Sequence, residues 1–488
     1  MKVVLIWPPT VDIKTNFAGM ASMPLGISYL AAYLREKGVS VRLIDAFGLA
    51  PENVKPFKED YVTIGLAPKE IAKMVEKDAD IAAISATASV SHNIVLEIIN
   101  EIRKIRTDMK IAVGGNHASF EYKEFLKNGA DFVVLGEGEI ALFELTQHIE
   151  GKKDIKKIDG IAWKEGKKIF ANPKTKFIED LDSLPFPARD LLPMEAYWSR
   201  KEAHGPMRSK YTPIFSSRGC PFACSYCSSP IFWQRKWRPR SPKNVVDEIE
   251  HCVKNFGITD FHFEDDNLTL KKDRIMGICR EIISRSLKIT WNTPNGIRGD
   301  TVDFEVLHWM KKAGCAHITI APETGSEHVL KLMNKSVNLE HQAEILKIAN
   351  RLGMNTCAFF IIGFPGESAE DRKKTKKYIG RLAAAGLDEA GIFIFTPLPG
   401  TKIFSKYRKT YGKNWEKCMV TAPHWRKDYK DLREYRKNLY LNFFRNQALH
   451  HPKKILKYGK NLLVGKQETK TDLVLRKAFG NFRKKILG

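Results

Sequence analysis

Five short apolar runs near the start of the chain each give way to a stretch with helical spacing, and this alternation limits the fold more than any other feature. The runs "KVVLIW" (residues 2–7), "VSVRLIDA" (39–46), "DIAAISATA" (80–88), "KIAVGGN" (110–116) and "DFVVLGEGE" (131–139) are apolar along most of their length. That is the pattern of strands covered on both faces. Between the first two, "PLGISYLAAYLREKG" keeps Ile27, Leu30, Ala31 and Leu34 at helical spacing and puts Gly38 where a helix ends. Parallel strands joined by helices imply an α/β fold, a doubly wound, Rossmann-like sheet, which binds ligands beyond the carboxyl ends of its strands. Those ends carry Thr87 and Ser89, then Gly114, Gly115, Asn116 and His117, then Gly136, Glu137 and Gly138. Small residues let a large ligand reach the backbone, although the same residues also make ordinary turns before helices. No GxGxxG follows the first strand, so a nicotinamide or flavin dinucleotide is not indicated.

A second alternation runs from Thr212 to about Phe404 through "PIFSS", "DFHFED", "KITWNTP", "HITIAPE", "CAFFIIGFP" and "EAGIFIFTPLPG". Six such units predict an open (β/α)6 partial TIM barrel with its chemistry at the carboxyl ends of the strands. Between the two series, "IDGIAWKEGKKIFANP" reads as a hairpin turning at Glu165 and Gly166. The prolines of "LDSLPFPARDLLP" deny that stretch a regular element, so it is expected to lie extended between domains. The expected division is a Rossmann-like domain over 1–150, a connector over 151–205, a barrel over 206–405 and a helical module over 406–488.

The last part stands apart by charge. Residues 401–488 hold 24 Lys and Arg against 6 Asp and Glu, a surplus of 18 in a chain whose net charge is +24. Leu432, Tyr435, Leu439 and Phe443 recur on one helical face, and Leu475, Phe479, Phe482 and Ile486 on another, each among basic residues. A basic helix of this kind suits an anionic membrane interface; the competing arrangement is a cap that packs its apolar face on the barrel. Nucleic acid is the lesser anionic partner, because no recognised RNA-binding motif is present. The N-terminus has a single Lys and an apolar run cut short by Pro8 and Pro9, unlike a secretory signal, and no window nears the ~18 apolar residues of a spanning helix. The expected location is therefore cytoplasmic, with contact at the inner face of a membrane.

"SSRGCPFACSYCSSP" (residues 216–230) places Cys220, Cys224 and Cys227 together just after the first barrel strand. In a cytoplasmic protein clustered thiols indicate metal or catalysis rather than disulfides. Thiolates suit iron-sulfur clusters and zinc. Structural zinc takes four protein ligands, and no further CxxC or HxxxH lies nearby, whereas three Cys on a four-iron cluster leave one iron open. Zinc completed by a remote Cys252 or His251 is the alternative. Cys252, Cys279, Cys315 and Cys357 fall in helix or strand patterns and read as small buried hydrophobes, while Cys418 lies in a stretch that could reach the barrel mouth.

The Cys-x3-Cys-x2-Cys run with Tyr226 before its third Cys resembles the signature of the radical S-adenosylmethionine (radical SAM) enzymes. The resemblance implies a [4Fe-4S] cluster on Cys220, Cys224 and Cys227, whose open iron chelates S-adenosylmethionine, and a one-electron donor such as flavodoxin or ferredoxin. It further implies that Glu264, Asp265 and Asp266 of "FEDDN" grip the methionine ammonium and that Glu323 of "APETGSE" contacts the ribose or methionyl end. Gly363 of "IIGFPGE" would lie along adenine with Tyr226 beside it. Asn295, Arg298 and Lys335 lie on loops at the same mouth, the alternative for the charged ones being a solvated surface charge. With the N-terminal domain, "GGNHAS", "VLGEGE" and the proline-rich connector, residues 1 to about 405 resemble the cobalamin-binding radical SAM group that contains the anaerobic magnesium-protoporphyrin ester cyclase and the hopanoid-modifying enzymes.

That resemblance implies cobalamin at Thr87, Ser89, Gly114, Gly115, Asn116, His117, Gly136, Glu137 and Gly138. Two departures stand out: Asn116 replaces the proline of the family's "GGPH", and there is no DxHxxG. His117 is accordingly expected as a loop residue beside the corrin, not as a cobalt ligand. The implied activity is methylation, cyclisation or rearrangement of an unactivated carbon of a hydrophobic substrate, a lipid, isoprenoid or tetrapyrrole. A radical transferase acting on RNA and a cobalamin-binding sensor are the alternatives, and the sensor has no use for three cluster cysteines.

Overall fold

A computed structural model describes residues 1–14, 21–412 and 414–487, excluding the side chains of Tyr411 and 479–487. Its N-terminal sheet contains β1 (Lys2–Trp7), β2 (Ser40–Asp45), β3 (Ile81–Ser85), β4 (Lys110–Gly114), β5 (Phe132–Val134), β6 (Ile161–Glu165) and β7 (Lys168–Asn172). Across the sheet the order is β7-β6-β5-β4-β3-β1-β2, parallel from β2 to β5. Alternate residues of one strand serve two cores. Val4 and Ile6 join the apolar side of helix His92–Ile105, while Val3 and Leu5 join Ile27, Leu34, Leu142 and Leu145 on the opposite face. This explains why the strands read as unbroken apolar runs.

The hairpin forms, turning at Gly166 and Lys167, one residue later than expected, and it does not lie between domains. β6 pairs antiparallel with β5, so β6 and β7 extend the N-terminal sheet by two strands. Ile161 and Ala162 are fully buried there, which gives β6 its own apolar reason to join. The proline-rich stretch is likewise anchored. Buried Arg189 donates to Thr212 Oγ1 at 2.8 Å and to Glu248 Oε1 at 2.6 Å, and Glu248 also pairs with Arg240. A fully buried carboxylate between two guanidiniums fixes the connector on the first barrel strand.

The second sheet consists of β8 (Tyr211–Ile214), β9 (Asp260–Phe263), β10 (Thr290–Ile297), β11 (Cys315–Glu323), β12 (Asn355–Ile362) and β13 (Glu389–Ile394), parallel and in sequence order with β8 and β13 at its edges. Its helices have local signals of their own. Ser241 caps Pro242–Phe256, which ends at Gly257 in the left-handed region, and Ser368 with Asp371 forms a capping box on Ala369–Ala384.

The C-terminal residues form helices Tyr429–His450, Pro452–Val464 and Lys470–Leu487. The face expected at a membrane is occupied. Leu432, Leu439 and Phe443 are buried in the barrel core, and Tyr435 OH donates to Arg372 O at 2.7 Å. Helix Tyr429–His450 is thus a cap on the barrel: an apolar stripe at helical spacing buries itself wherever a complementary helix face is available. Of the second expected face only Leu475 can be placed, and it is exposed; Phe479, Phe482 and Ile486 lie outside the described side chains. Among the described residues no helix is long and apolar enough to cross a membrane.

Candidate active site

The carboxyl ends of the two sheets face one cavity of about 480 Å³. Ser85, Gly114 and Val134 end strands on one side; Pro213, Glu264 and Asn295 come from the ends of barrel strands on the other. Most of the remaining lining is apolar, including Trp7, Met23, Leu30, Phe215, Phe232 and Trp233. A mostly apolar hollow with a few convergent polar groups is the form of a small-molecule site.

The cysteine loop borders this cavity. It leaves the short strand Ser217–Arg218, carries Cys220, Cys224 and Cys227, and ends in the turn of helix Ser229–Phe232; Ser217, Arg218, Ser229 and Phe232 line the hollow. Burial pushes the thiol of Cys227 up to about 12 and raises that of Cys220, and nearby Asp266 works in the same direction. Such thiols become thiolates only when a cation joins them, so the donor set fits an iron-sulfur cluster. Among the described residues no three His, Cys, Asp or Glu side chains, the cysteine trio included, close around the position of a single ion.

The three acidic residues after β9 divide their work. Glu264 lines the cavity, accepts from His204 Nδ1 at 2.8 Å through Oε2, and leaves Oε1 buried with no partner. Burial opposes its ionisation, but His204, His262 and Lys470 prevail and hold the carboxyl below the usual range. A half-buried, ionised carboxylate with one oxygen free of protein partners fits an ammonium ligand. Asp266 also lines the cavity and accepts from Gly219 N at 3.1 Å. Asp265 does not line it. Its carboxylate accepts from Ser216 N at 3.1 Å and from Ser216 Oγ at 2.7 Å, which fixes the start of the cysteine loop.

Glu323 and Gly363 stand elsewhere. Glu323 adopts a positive φ of 66°, pairs with Lys335 at 2.7 Å and accepts from Tyr226 OH at 2.7 Å. Lys335 is therefore an internal cation rather than a surface charge, and this trio ties the cysteine loop to the end of β11. Gly363, with φ 72°, lies under Leu432 and Arg426 and lines a separate hollow of about 320 Å³. Asn295 donates to Glu264 O at 2.9 Å, whereas Arg298 stacks on Phe222.

Of the residues expected at cobalamin, Thr87, Gly114, Gly115, Asn116, Gly136, Glu137 and Gly138 line the large cavity; Ser89 and His117 do not. Gly115 has φ 109°, and a Cβ there would meet Thr87 Oγ1 at 2.8 Å and the Ala86 carbonyl carbon at 3.0 Å, so the turn in the cavity wall requires glycine. This glycine cradle fits a bulky ring. His117 is not a loop residue. It lies in the first turn of helix Asn116–Lys127, is 2% exposed, and bonds His92 Nδ1 at 2.8 Å and Ser89 Oγ at 3.0 Å beside the Trp415 ring. The chain enters the helix there with residue 117 turned away from the strand ends. Cys418 is buried with Phe404 and Trp415, not at the barrel mouth, while Cys252, Cys279, Cys315 and Cys357 are buried as expected.

Sequence reading missed several residues. Arg218, two before Cys220, pairs with Glu137 and Glu139, both at 2.7 Å, and Arg238 joins Glu137 at 3.0 Å. Its place in "SSRGC" was a usable signal. His204 and Lys470 gave none: Lys470, near the far end of the chain, acts on Glu264 through space.

The Radical SAM superfamily model matches residues 214–379, and the B12 binding domain model matches residues 17–146. The chain is 31% identical over 429 residues to an uncharacterized methyltransferase of Pyrococcus horikoshii, covering 87% of each. It is 30% identical over 455 residues to the cytidylyl-2-hydroxyethylphosphonate methyltransferase of Streptomyces wedmorensis, covering 84% of each. With the anaerobic magnesium-protoporphyrin IX monomethyl ester cyclase of Rubrivivax gelatinosus identity is 29% over 467 residues, 93% of this chain and 79% of the other. Among solved structures, OxsB with aqua-cobalamin and S-adenosylmethionine bound superposes with a TM-score of 0.69 at 17% identity, covering 99% and 81%. TsrM from Kitasatospora setae, with cobalamin and a [4Fe-4S] cluster bound, gives 0.66 at 18%, covering 84% and 75%. These two show a shared fold.

Proposed function

The chain belongs to the radical SAM superfamily, in the group that carries a B12-binding domain, and from this premise we propose that it methylates, cyclises or rearranges an unactivated carbon of a hydrophobic substrate. It is a cobalamin-dependent radical SAM enzyme of the methyltransferase or cyclase type, using a [4Fe-4S] cluster, S-adenosylmethionine and cobalamin. When bound, the cluster would supply the electron that splits S-adenosylmethionine, and cobalamin would offer a carrier for a methyl group.

The observation that carries the reading is the single cavity shared by both sheets' strand ends. On one side Gly114, Gly115 and Gly136 leave room for a corrin; on the other Glu264 and Asp266 offer carboxylates to a cationic cosubstrate next to the cysteine loop. The walls of Trp7, Leu30, Phe215 and Phe232 exclude water and favour an apolar substrate. Asp265 and the Tyr226–Glu323 bond hold the cysteine loop at its start and middle. The finer partners we propose are a flavodoxin or ferredoxin as reductant and an anionic membrane at the inner face as the source of substrate. Relatives of the chain include a hopanoid C-3 methylase and a magnesium-protoporphyrin cyclase, which fit this class. Anaerobic incubation with methyl-labelled S-adenosylmethionine and candidate lipids, isoprenoids and tetrapyrroles tests the reading. Label or a new ring in one of them supports it; turnover confined to RNA overturns it.

A further inference from the structure

Helix Pro452–Val464 is built inside out. Toward the body of the protein it sends hydrogen-bonding groups: Lys454 Nζ bonds Asp388 Oδ1 at 2.5 Å, Tyr458 OH donates to Asp388 O at 2.7 Å, and Asn461 Nδ2 donates to Asp472 Oδ1 at 3.2 Å. Toward water it sends aliphatic side chains. Leu463 is 88% exposed, Leu456 72% and Val464 63%, and Leu449, just before this helix, is 68% exposed. Among the described residues these four are the most exposed large hydrophobics. At 3.6 residues per turn Leu456, Lys460 and Leu463 share one side of the helix, with Lys453 and Val464 at its edge. Among the described residues Lys453 and Lys460 have no carboxylate within ion-pair range.

We propose that this face is the docking surface for an anionic lipid bilayer. The proposal rests on the reading above that the substrate is hydrophobic, and it moves the contact from the face of Leu432 and Phe443, which is buried, to one the fold leaves open. Isolated exposed leucines are ordinary, but a concentration of them on one helix marks an interaction site. The charged neighbours choose the partner. Protein interfaces are depleted in lysine, whereas helices lying in a headgroup layer combine leucine with lysine. The surplus of 18 positive charges in residues 401–488 complements a bilayer of anionic lipids, and each Lys near it adds attraction that salt screens.

The test uses the full chain with its cluster reconstituted, sedimented with vesicles of phosphatidylcholine alone or mixed with phosphatidylglycerol. Wild type is expected to partition onto the mixed vesicles at least about tenfold better, and to lose that preference as salt rises. Leu456→Glu with Leu463→Glu is expected to abolish binding, and Lys453→Ala with Lys460→Ala to weaken binding to the mixed vesicles at least about tenfold. All four side chains face solvent, and unchanged cluster absorbance and S-adenosylmethionine cleavage confirm the fold. Equal partition of wild type onto both vesicles, or full binding by the leucine variant, overturns the proposal. A wild-type dimer that the leucine variant dissociates also overturns it, by assigning the face to a second copy. Loss of vesicle binding with product formation intact on dispersed substrate refutes only the docking surface; failure to form product from any hydrophobic substrate refutes the functional reading instead.

Discussion

Arg218 reaches across the domain boundary to bind Glu137 at 2.7 Å, two residues before the first cluster cysteine. Glu137 also holds Arg238 and accepts from Ile178 N at 2.8 Å, so a carboxylate expected beside cobalamin is the joint between the N-terminal domain and the cysteine loop. Both arginines and the glutamate are nearly enclosed, with side-chain exposures of 10%, 4% and 2%. Replacing Glu137 by Ala leaves buried Arg238 without a carboxylate and Arg218 with Glu139 alone. The expected loss is about 3–5 kcal/mol of stability, read as a lowered denaturation midpoint. An unchanged midpoint contradicts the clamp.

The cluster is tested by removing its ligands together. Cys220, Cys224 and Cys227 lie on a partly exposed loop outside the main cores, so changing all three to Ala should leave the chain folded. The broad visible absorbance of anaerobically reconstituted protein should vanish along with reductive cleavage of S-adenosylmethionine. Iron content equal to wild type in the triple variant refutes the assignment.

Cobalamin binding should stabilise the native chain, because a ligand that binds only the folded state raises the transition by mass action. Hydroxocobalamin is expected to raise the melting temperature of wild type. In Gly115→Val the new side chain meets Thr87 Oγ1 at 2.8 Å and the Ala86 carbonyl carbon at 3.0 Å from a left-handed backbone, so the cradle must distort. That variant should gain nothing from the ligand.

Glu264 and Lys470 make a paired prediction. Glu264→Gln removes a charge-assisted contact worth about 1.5–3 kcal/mol, which is roughly ten- to hundredfold in affinity for S-adenosylmethionine. Lys470 is itself pushed down to about 8 by burial, although Glu389 and Glu264 support its charge. Lys470→Met takes a positive charge away from Glu264, so the carboxyl titrates at higher pH. The acid limb of the pH profile for S-adenosylmethionine cleavage should move upward in that variant; an unmoved limb separates the two residues.

Asp45 gives a pH signature of stability. Burial raises its carboxyl to about 6, against hydrogen bonds from Tyr197 OH at 2.6 Å and Gly48 N at 3.0 Å. Between roughly pH 4 and 6 the folded chain keeps a proton that the unfolded chain has released, so stability falls as pH rises through that window, by about 3 kcal/mol in all. Asp45→Asn should flatten this slope and raise the neutral-pH denaturation midpoint.

The sequence by itself determined the parallel strands of both large sheets, because each strand's apolar run and each helix's spacing, cap or terminal glycine are local properties that any compact arrangement must satisfy. It also determined the cysteine loop, whose three ligands lie within eight consecutive residues. Only the tertiary structure decided where the hairpin goes, since the open edge of β5 that it completes is not encoded in the hairpin itself. The same holds for the face of Leu432 and Phe443. An amphipathic stripe specifies that it will be buried, not whether lipid or a barrel helix will bury it, and the outward leucines of Pro452–Val464 became visible only once Tyr458 and Asn461 had taken the inside. Glu264 likewise owes its ionised state to His204 and Lys470, distant residues gathered by packing, because charge acts through space and leaves no trace in sequence spacing.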